Sequence, residues 1–120
     1  MTGRRFVRIM DLHDDPAVIA AYDLAHSVGE TPAEVIAAQL RYGIAEMEIF
    51  RTGNRLVMLM EVTADFDPDG LDAERGLQGA IDRWHLRMAT LQCPPFANGE
   101  AWPEAQRVFR QSDHLNGTEG

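Results

Sequence analysis

Residues 5–11, Arg-Phe-Val-Arg-Ile-Met-Asp, alternate with a period of two, setting Phe6, Arg8 and Met10 against Val7 and Ile9. That period sends successive side chains to opposite faces and predicts a β-strand. Asp14-Asp15-Pro16 ends it and predicts a helix start: Asp15 can accept early amide hydrogens, and Pro16 opens the first turn where a missing N–H costs nothing. In that helix Val18, Tyr22 and His26 stand four residues apart and share one face. Gly29 interrupts it. Thr31-Pro32-Ala33-Glu34 predicts a second start, with Thr31 as the cap and Glu34 reaching back in a capping box. Val35, Ile36, Leu40 and Tyr42 belong to this second helix, and Gly43 can take the left-handed conformation that closes it.

Two strands follow, Ala45 to Phe50 and Leu56 to Val62, around the glycine-containing turn Arg51-Thr-Gly-Asn-Arg. The second is apolar at nearly every position, which predicts a central strand covered on both faces. From about Asp72 to Leu91, the residues Leu77, Ile81, Trp84, Met88 and Leu91 recur at spacings of 4, 3, 4 and 3, the stripe of a helix lying on a sheet. Gln106 to Arg110 predicts a last short strand. The order is strand, helix pair, strand, strand, helix, strand. This is the α+β layout of ferredoxin-like folds, an antiparallel sheet with its helices on one face. The other face needs cover, which a second copy of the chain can supply.

A length of 120 residues suits one domain, expected over residues 1–111, with residues 112–120 as a polar C-terminal tail. A net charge of −8 makes nucleic acid and an acidic membrane face poor partners. No apolar run approaches the roughly 20 residues that cross a bilayer. The start, Met1-Thr-Gly-Arg-Arg-Phe-Val-Arg, lacks the apolar centre of a signal peptide, so a cytoplasmic protein is expected. The single cysteine, Cys93, has no internal partner, which suits a reducing compartment. His13, His26, His85 and His114 show no metal-ligand spacing, and Gly70, Gly76 and Gly79 do not form a phosphate loop. No metal, nucleotide or other cofactor is expected.

Tyr22 and His26 are the first candidates for chemistry. A histidine exchanges protons near neutral pH, and a tyrosine one turn earlier can hydrogen-bond the same ligand. A second reading packs Tyr22 into the core and leaves His26 to cap the helix. Trp84 lies on the apolar stripe, while His85, about 100° around the helix, faces solvent or a pocket. Trp102, beside Pro103, is either a lid over a cavity or the anchor of its loop. The capping box already explains Glu34. Glu48 and Glu61 lie on strands, with Arg51 and Arg55 as expected partners. Met47, Met58 and Met60 read as core filling.

Several of these residues recur together in a known pattern. Tyr22 and His26, then Pro32 and Glu34, then Gly43-Ile44 leading into Met47-Glu48-Ile49-Phe50, resemble the L-rhamnose mutarotase family. The likeness continues through Arg55 to Val62, the helix with Arg83-Trp84 and Met88, and Arg107-Val108-Phe109. It spans roughly residues 5 to 110. The resemblance implies a homodimer of ferredoxin-like subunits, a dimeric α+β barrel, with a sugar pocket between sheet and helices. The implied activity is cofactor-free interconversion of the α and β anomers of a 6-deoxy-L-hexose, with His26 as proton donor and Tyr22 and Trp84 touching the sugar.

The chain departs from the family pattern at three places. Glu30-Thr31-Pro32-Ala33-Glu34 replaces Trp-Pro-Glu, Met47 stands where a second tyrosine is expected, and His85 follows Trp84 where another tryptophan is common. Met47 and His85 are therefore expected among the substrate contacts, with His85 or a carboxylate as the base. The altered walls favour L-fucose over L-rhamnose. Two other functions suit the same fold, a dimeric binding module that turns nothing over and a cofactor-independent monooxygenase.

Overall fold

The structure, a computed structural model, describes residues 4–67 and 79–117. In chain order its elements are β1 (Arg4–Leu12), α1 (Pro16–Ala25), α2 (Ala33–Arg41), β2 (Ile44–Thr52), β3 (Arg55–Val62), α3 (Gly79–Leu91), β4 (Gln92–Cys93) and α4 (Gln111–Gly117). Among the described residues one antiparallel sheet runs β2-β3-β1-β4, the ferredoxin-like strand order. The expected helix from Asp72 to Leu91 is present from Gly79 onward, and its part before that lies outside the described residues.

Register follows from the alternation in β1. Phe6 lies opposite Met60, Arg8 opposite Met58 and Met10 opposite Leu56. Met47 and Ile49 of β2 face the same two methionines of β3, Met60 and Met58. These side chains share the face that α1, α2 and α3 cover. Its core forms two clusters. The larger joins Met10, Leu12 and Leu56 to Tyr22, Ala25, Ile81, Trp84 and Met88, and the smaller gathers Met47, Met58 and Phe6 around Ile44, Met60 and Val62.

Local signals explain most element ends. Asp15 accepts from the Ala17 amide at 2.8 Å, the expected cap of α1. Gly43 closes α2 with a φ of 95°. A Cβ there would lie 2.7 Å from the Phe66 Cα and 2.8 Å from the Thr63 hydroxyl, so this position excludes a side chain on two counts. The β2–β3 hairpin is tied to its surroundings by paired hydrogen bonds. Asn54 exchanges two with the Leu12 backbone, at 2.7 and 3.0 Å. Arg51 grips the Asp23 carboxylate of α1 through two nitrogens, at 2.8 and 2.7 Å.

Four expectations are corrected. Thr31 does not cap α2, because its hydroxyl donates to the Ala25 carbonyl at 2.9 Å; Pro32 occupies the cap position with no side-chain bond. The loop through Gly29 folds Thr31 back onto the end of α1, so its hydroxyl satisfies an orphan carbonyl there. Gln106 to Arg110 forms no strand. The last strand is Gln92–Cys93 instead, and residues 103–105 run beside β1, where Ala105 donates to Val7 at 2.7 Å and Ile9 to Pro103 at 3.0 Å. The early part of the expected tail is helical, as α4. Finally, β3 is central but covered by helices on one face; Val57 and Leu59 on the other are half-buried.

Two substitutions test this packing. Leu56 is fully enclosed, and Leu56→Ala is expected to cost about 2–5 kcal/mol in urea unfolding. Gly43→Ala is expected to lower stability by more than about 1 kcal/mol, whereas Gly53→Ala, whose added Cβ would meet nothing, is expected to cost less.

Candidate active site

Between the helices and the inward face of the sheet lies an open cavity of about 1220 Å³, bordered by side chains from both core clusters. It is wider than the roughly 300–1,000 Å³ usual for small-ligand sites. Its walls are mainly methionine, isoleucine and tryptophan, with a few polar groups set among them. Sheet positions contribute Met47, Met58 and Met60, and α3 contributes Trp84 and His85.

His26 ends α1 and joins the two readings of its role. Its backbone is the C-cap of the helix, and its Nδ1 lies 2.8 Å from the Tyr22 carbonyl. A carbonyl only accepts, so Nδ1 carries the proton and the neutral ring keeps its lone pair on Nε2. The ring stacks on Tyr22 at 4.1 Å between centroids and meets the edge of Trp84 at 5.0 Å. Burial between these rings holds the imidazole below its ordinary pKa; the Tyr22 carbonyl opposes that shift and the Arg87 cation adds to it. His26 is thus a neutral imidazole at pH 7, with its lone pair on Nε2.

Tyr22 is buried within the core cluster and borders the cavity. Burial pushes its phenol up to about 12, against the opposing effect of a hydrogen bond with the Gln92 side chain. It stays protonated across the physiological range and can serve as a hydrogen-bond donor. Its neighbour Asp23 points outward to Arg51, whose guanidinium holds that carboxyl below the usual range. The Arg51–Asp23 pair therefore fixes α1 against the hairpin without entering the cavity.

The sequence-derived candidates divide clearly. Tyr22, His26, Met47, Trp84 and His85 all border the one cavity. Trp102 packs against the larger cluster as well as bordering the cavity, and its backbone takes a left-handed φ of 54°, unusual for so bulky a residue. It is a wall anchored to the core. Glu34 is exposed on the first turn of α2, away from the cavity. Glu48 and Glu61 occupy the opposite face of the sheet, Glu48 facing Leu59 and Glu61 facing Glu46. Their expected cations are engaged elsewhere, Arg51 with Asp23 and Arg55 with Asp11.

Arg8, Asp82 and Gln92 also border the cavity. Arg8 had a signal, since alternation sets it on the same side as Phe6 and Met10, where a charge is out of place. Gln92 had none, because the strand that carries it is two residues long. Among the described residues no three His, Cys, Asp or Glu side chains gather to hold a metal ion.

A protein from Xanthomonas campestris pv. campestris described as an L-fucose mutarotase is 42% identical over 122 residues, covering 100% of this chain and 98% of its own. Among solved structures, tetracenomycin F2 cyclase of Streptomyces glaucescens, a type-II polyketide cyclase, superposes with a TM-score of 0.55 at 18% identity. That match covers 89% of this chain and 95% of the cyclase and speaks for the fold. The profile of the L-rhamnose mutarotase family matches residues 5–111, and the chain belongs to that family.

Proposed function

We propose that the chain interconverts the α and β anomers of a 6-deoxy-L-hexose, L-fucose in preference to L-rhamnose, with His26 carrying the proton. The observation that carries this reading is an imidazole that borders the cavity beside Tyr22 and Trp84, its Nδ1 tied to the Tyr22 carbonyl and its Nε2 without a partner among the described residues. The preference for L-fucose draws on the 42% identical relative and on the replaced family residues, Met47 and His85, at the cavity wall.

Ring opening removes the proton of the anomeric hydroxyl, breaks the bond from C1 to the ring oxygen and protonates that oxygen. Both oxygens are attached to C1 in the closed sugar. A neutral Nε2 next to C1 takes the hydroxyl proton and delivers it to the ring oxygen, so His26 is the proton donor at that atom. Rotation of the freed aldehyde and the reverse transfers close the ring on its other face. Tyr22 donates a hydrogen bond, Trp84 offers an apolar wall to the C–H face of the pyranose, and Met47 and His85 shape the remaining border.

A homodimer completes this reading. The sheet face away from the helices carries Val7, Ile9, Val57 and Leu59, half-buried, beside Phe50, which is 54% exposed. Val108 and Phe109 are 95% and 66% exposed on an unpaired stretch of chain. A second copy laid on this face would bury both groups, forming the dimeric α+β barrel. We take residues 1–111 as the catalytic unit, in keeping with the family match over 5–111, and residues 112–120 as an appendage. Among the described residues no helix is long and apolar enough to cross a membrane. With the free thiol of Cys93, this favours a cytoplasmic setting.

Magnetisation exchange between the anomeric protons of L-fucose is expected to speed up on adding the protein, and less so for L-rhamnose. Saturable binding with no faster exchange would leave a binding module. His26→Ala should remove roughly 10²–10⁴-fold of the acceleration with the fold intact by circular dichroism. Because the folded pKa of His26 lies below its ordinary value, the neutral base prevails above pH 6.5. Exchange should be flat there and decline as pH falls through the lowered pKa. The stability contributed by the neutral ring is lost over the same descent, and His26→Gln should blunt both effects. Light scattering should report a dimer, with Leu59→Glu shifting it toward monomer.

A further inference from the structure

Arg8 is the one inward-facing residue of β1 whose chemistry the fold does not use. It stands between Phe6 and Met10, opposite Met58, and borders the cavity. Its guanidinium packs over the Phe6 ring, 5.7 Å from the centroid. Among the described residues its Nε is the buried side-chain nitrogen or oxygen atom that has no hydrogen-bond partner. Glu104 lies across an isolated backbone bridge from Arg8, yet forms no ion pair with it. Other strand arginines show the contrast, since Arg51 and Arg55 each grip a carboxylate through two nitrogens.

An arginine stays protonated throughout the physiological range, so it is not a base; what it offers is a planar fork of N–H donors. Leaving a charged donor buried and unmade is costly, and the thioether sulfurs of the surrounding methionines are only weak acceptors. The missing acceptor is then a group that enters the cavity. Two adjacent hydroxyl oxygens of a pyranose present neighbouring lone pairs that a forked donor can span.

We propose that Arg8 is a substrate-binding and specificity residue, its guanidinium fork donating to two neighbouring ring hydroxyls of the sugar. The inference rests on the mutarotase reading and adds to it a residue that selects among sugars by where their hydroxyls lie. His26 acts at C1 and the ring oxygen, whereas Arg8 holds hydroxyls elsewhere on the ring. Its loss should weaken binding while leaving the pH dependence set by His26 unchanged.

The test is a cycle between Arg8 and the sugar hydroxyls. Binding of L-fucose and of its 2-deoxy, 3-deoxy and 4-deoxy analogues is followed by the fluorescence of Trp84 and Trp102, which border the cavity and report occupancy without turnover. Arg8→Met, a substitution matched to the methionine surroundings, is expected to weaken L-fucose binding about 10-fold or more. The wild type should lose a comparable factor for at least one analogue, to which Arg8→Met should be indifferent. Arg8→Lys, with a single donor head in place of a fork, should recover part of the loss and keep part of the discrimination.

Equal responses of wild type and both variants to every deletion would overturn the proposal. So would tighter wild-type binding of a uronic acid than of L-fucose that disappears in Arg8→Met, since the fork would then serve a carboxylate. Anomer exchange is measured alongside. Binding that discriminates through Arg8 without faster exchange would refute the mutarotase reading and leave Arg8 in place; unimpaired exchange and binding in Arg8→Met would do the reverse.

Discussion

The hydrogen bond between the His26 ring and the Tyr22 carbonyl, 2.8 Å long, is the interaction on which the arrangement beside the cavity depends. That carbonyl, in the last turn of α1, also accepts from the His26 backbone amide at 3.3 Å, so ring and backbone close the helix together. The ring bond fixes which nitrogen carries the proton and leaves the lone pair on Nε2. Stacking on Tyr22 and edge contact with Trp84 restrict the ring further, and the burial they impose keeps it neutral. One interaction thus helps to end a helix and sets a tautomer, and Arg51 clamps that helix to the hairpin through Asp23.

The cavity exists because the core is divided. Near Leu12 and Leu56 the helices rest directly on the sheet, and near Ile44 and Val62 a second cluster closes the structure. That second cluster includes Met47, Met58 and Met60, flexible and polarizable, which also border the cavity. Core filling and pocket lining, which look like competing roles for a methionine, coincide here. The polar groups at the margin follow the same economy: Tyr22 is kept protonated by burial that raises its pKa, and Arg8 retains a donor that none of the described residues engages.

Much of this was legible along the chain. The period of two in β1, the Asp15-Pro16 start of α1, Gly43 at the end of α2 and the 4-3-4-3 stripe over Ile81, Trp84 and Met88 each act through neighbouring residues, and each appears where its pattern sets it. Thr31 was misleading for an instructive reason. A hydroxyl three residues before a glutamate satisfies the local rule for a cap, but a loop that brings it to the end of another helix offers it a different acceptor. Gln106 to Arg110 misled similarly, because a strand needs a partner edge and β1 gives its free edge to Gln92–Cys93 and to residues 103–105.

Sequence by itself determined most of the elements and the inward side of β1, because periodicity and turn chemistry are short-range effects, and the family resemblance singled out the five residues expected at the pocket. Tertiary structure decided which of them share a cavity, which histidine nitrogen is left free, and that Glu48 and Glu61 turn away from the site. It also decided that the Nε of Arg8, on a side the alternation already marked as inward, has no acceptor among the described residues. Those outcomes depend on distances between residues far apart in the chain, and on the burial that follows, which no local pattern encodes.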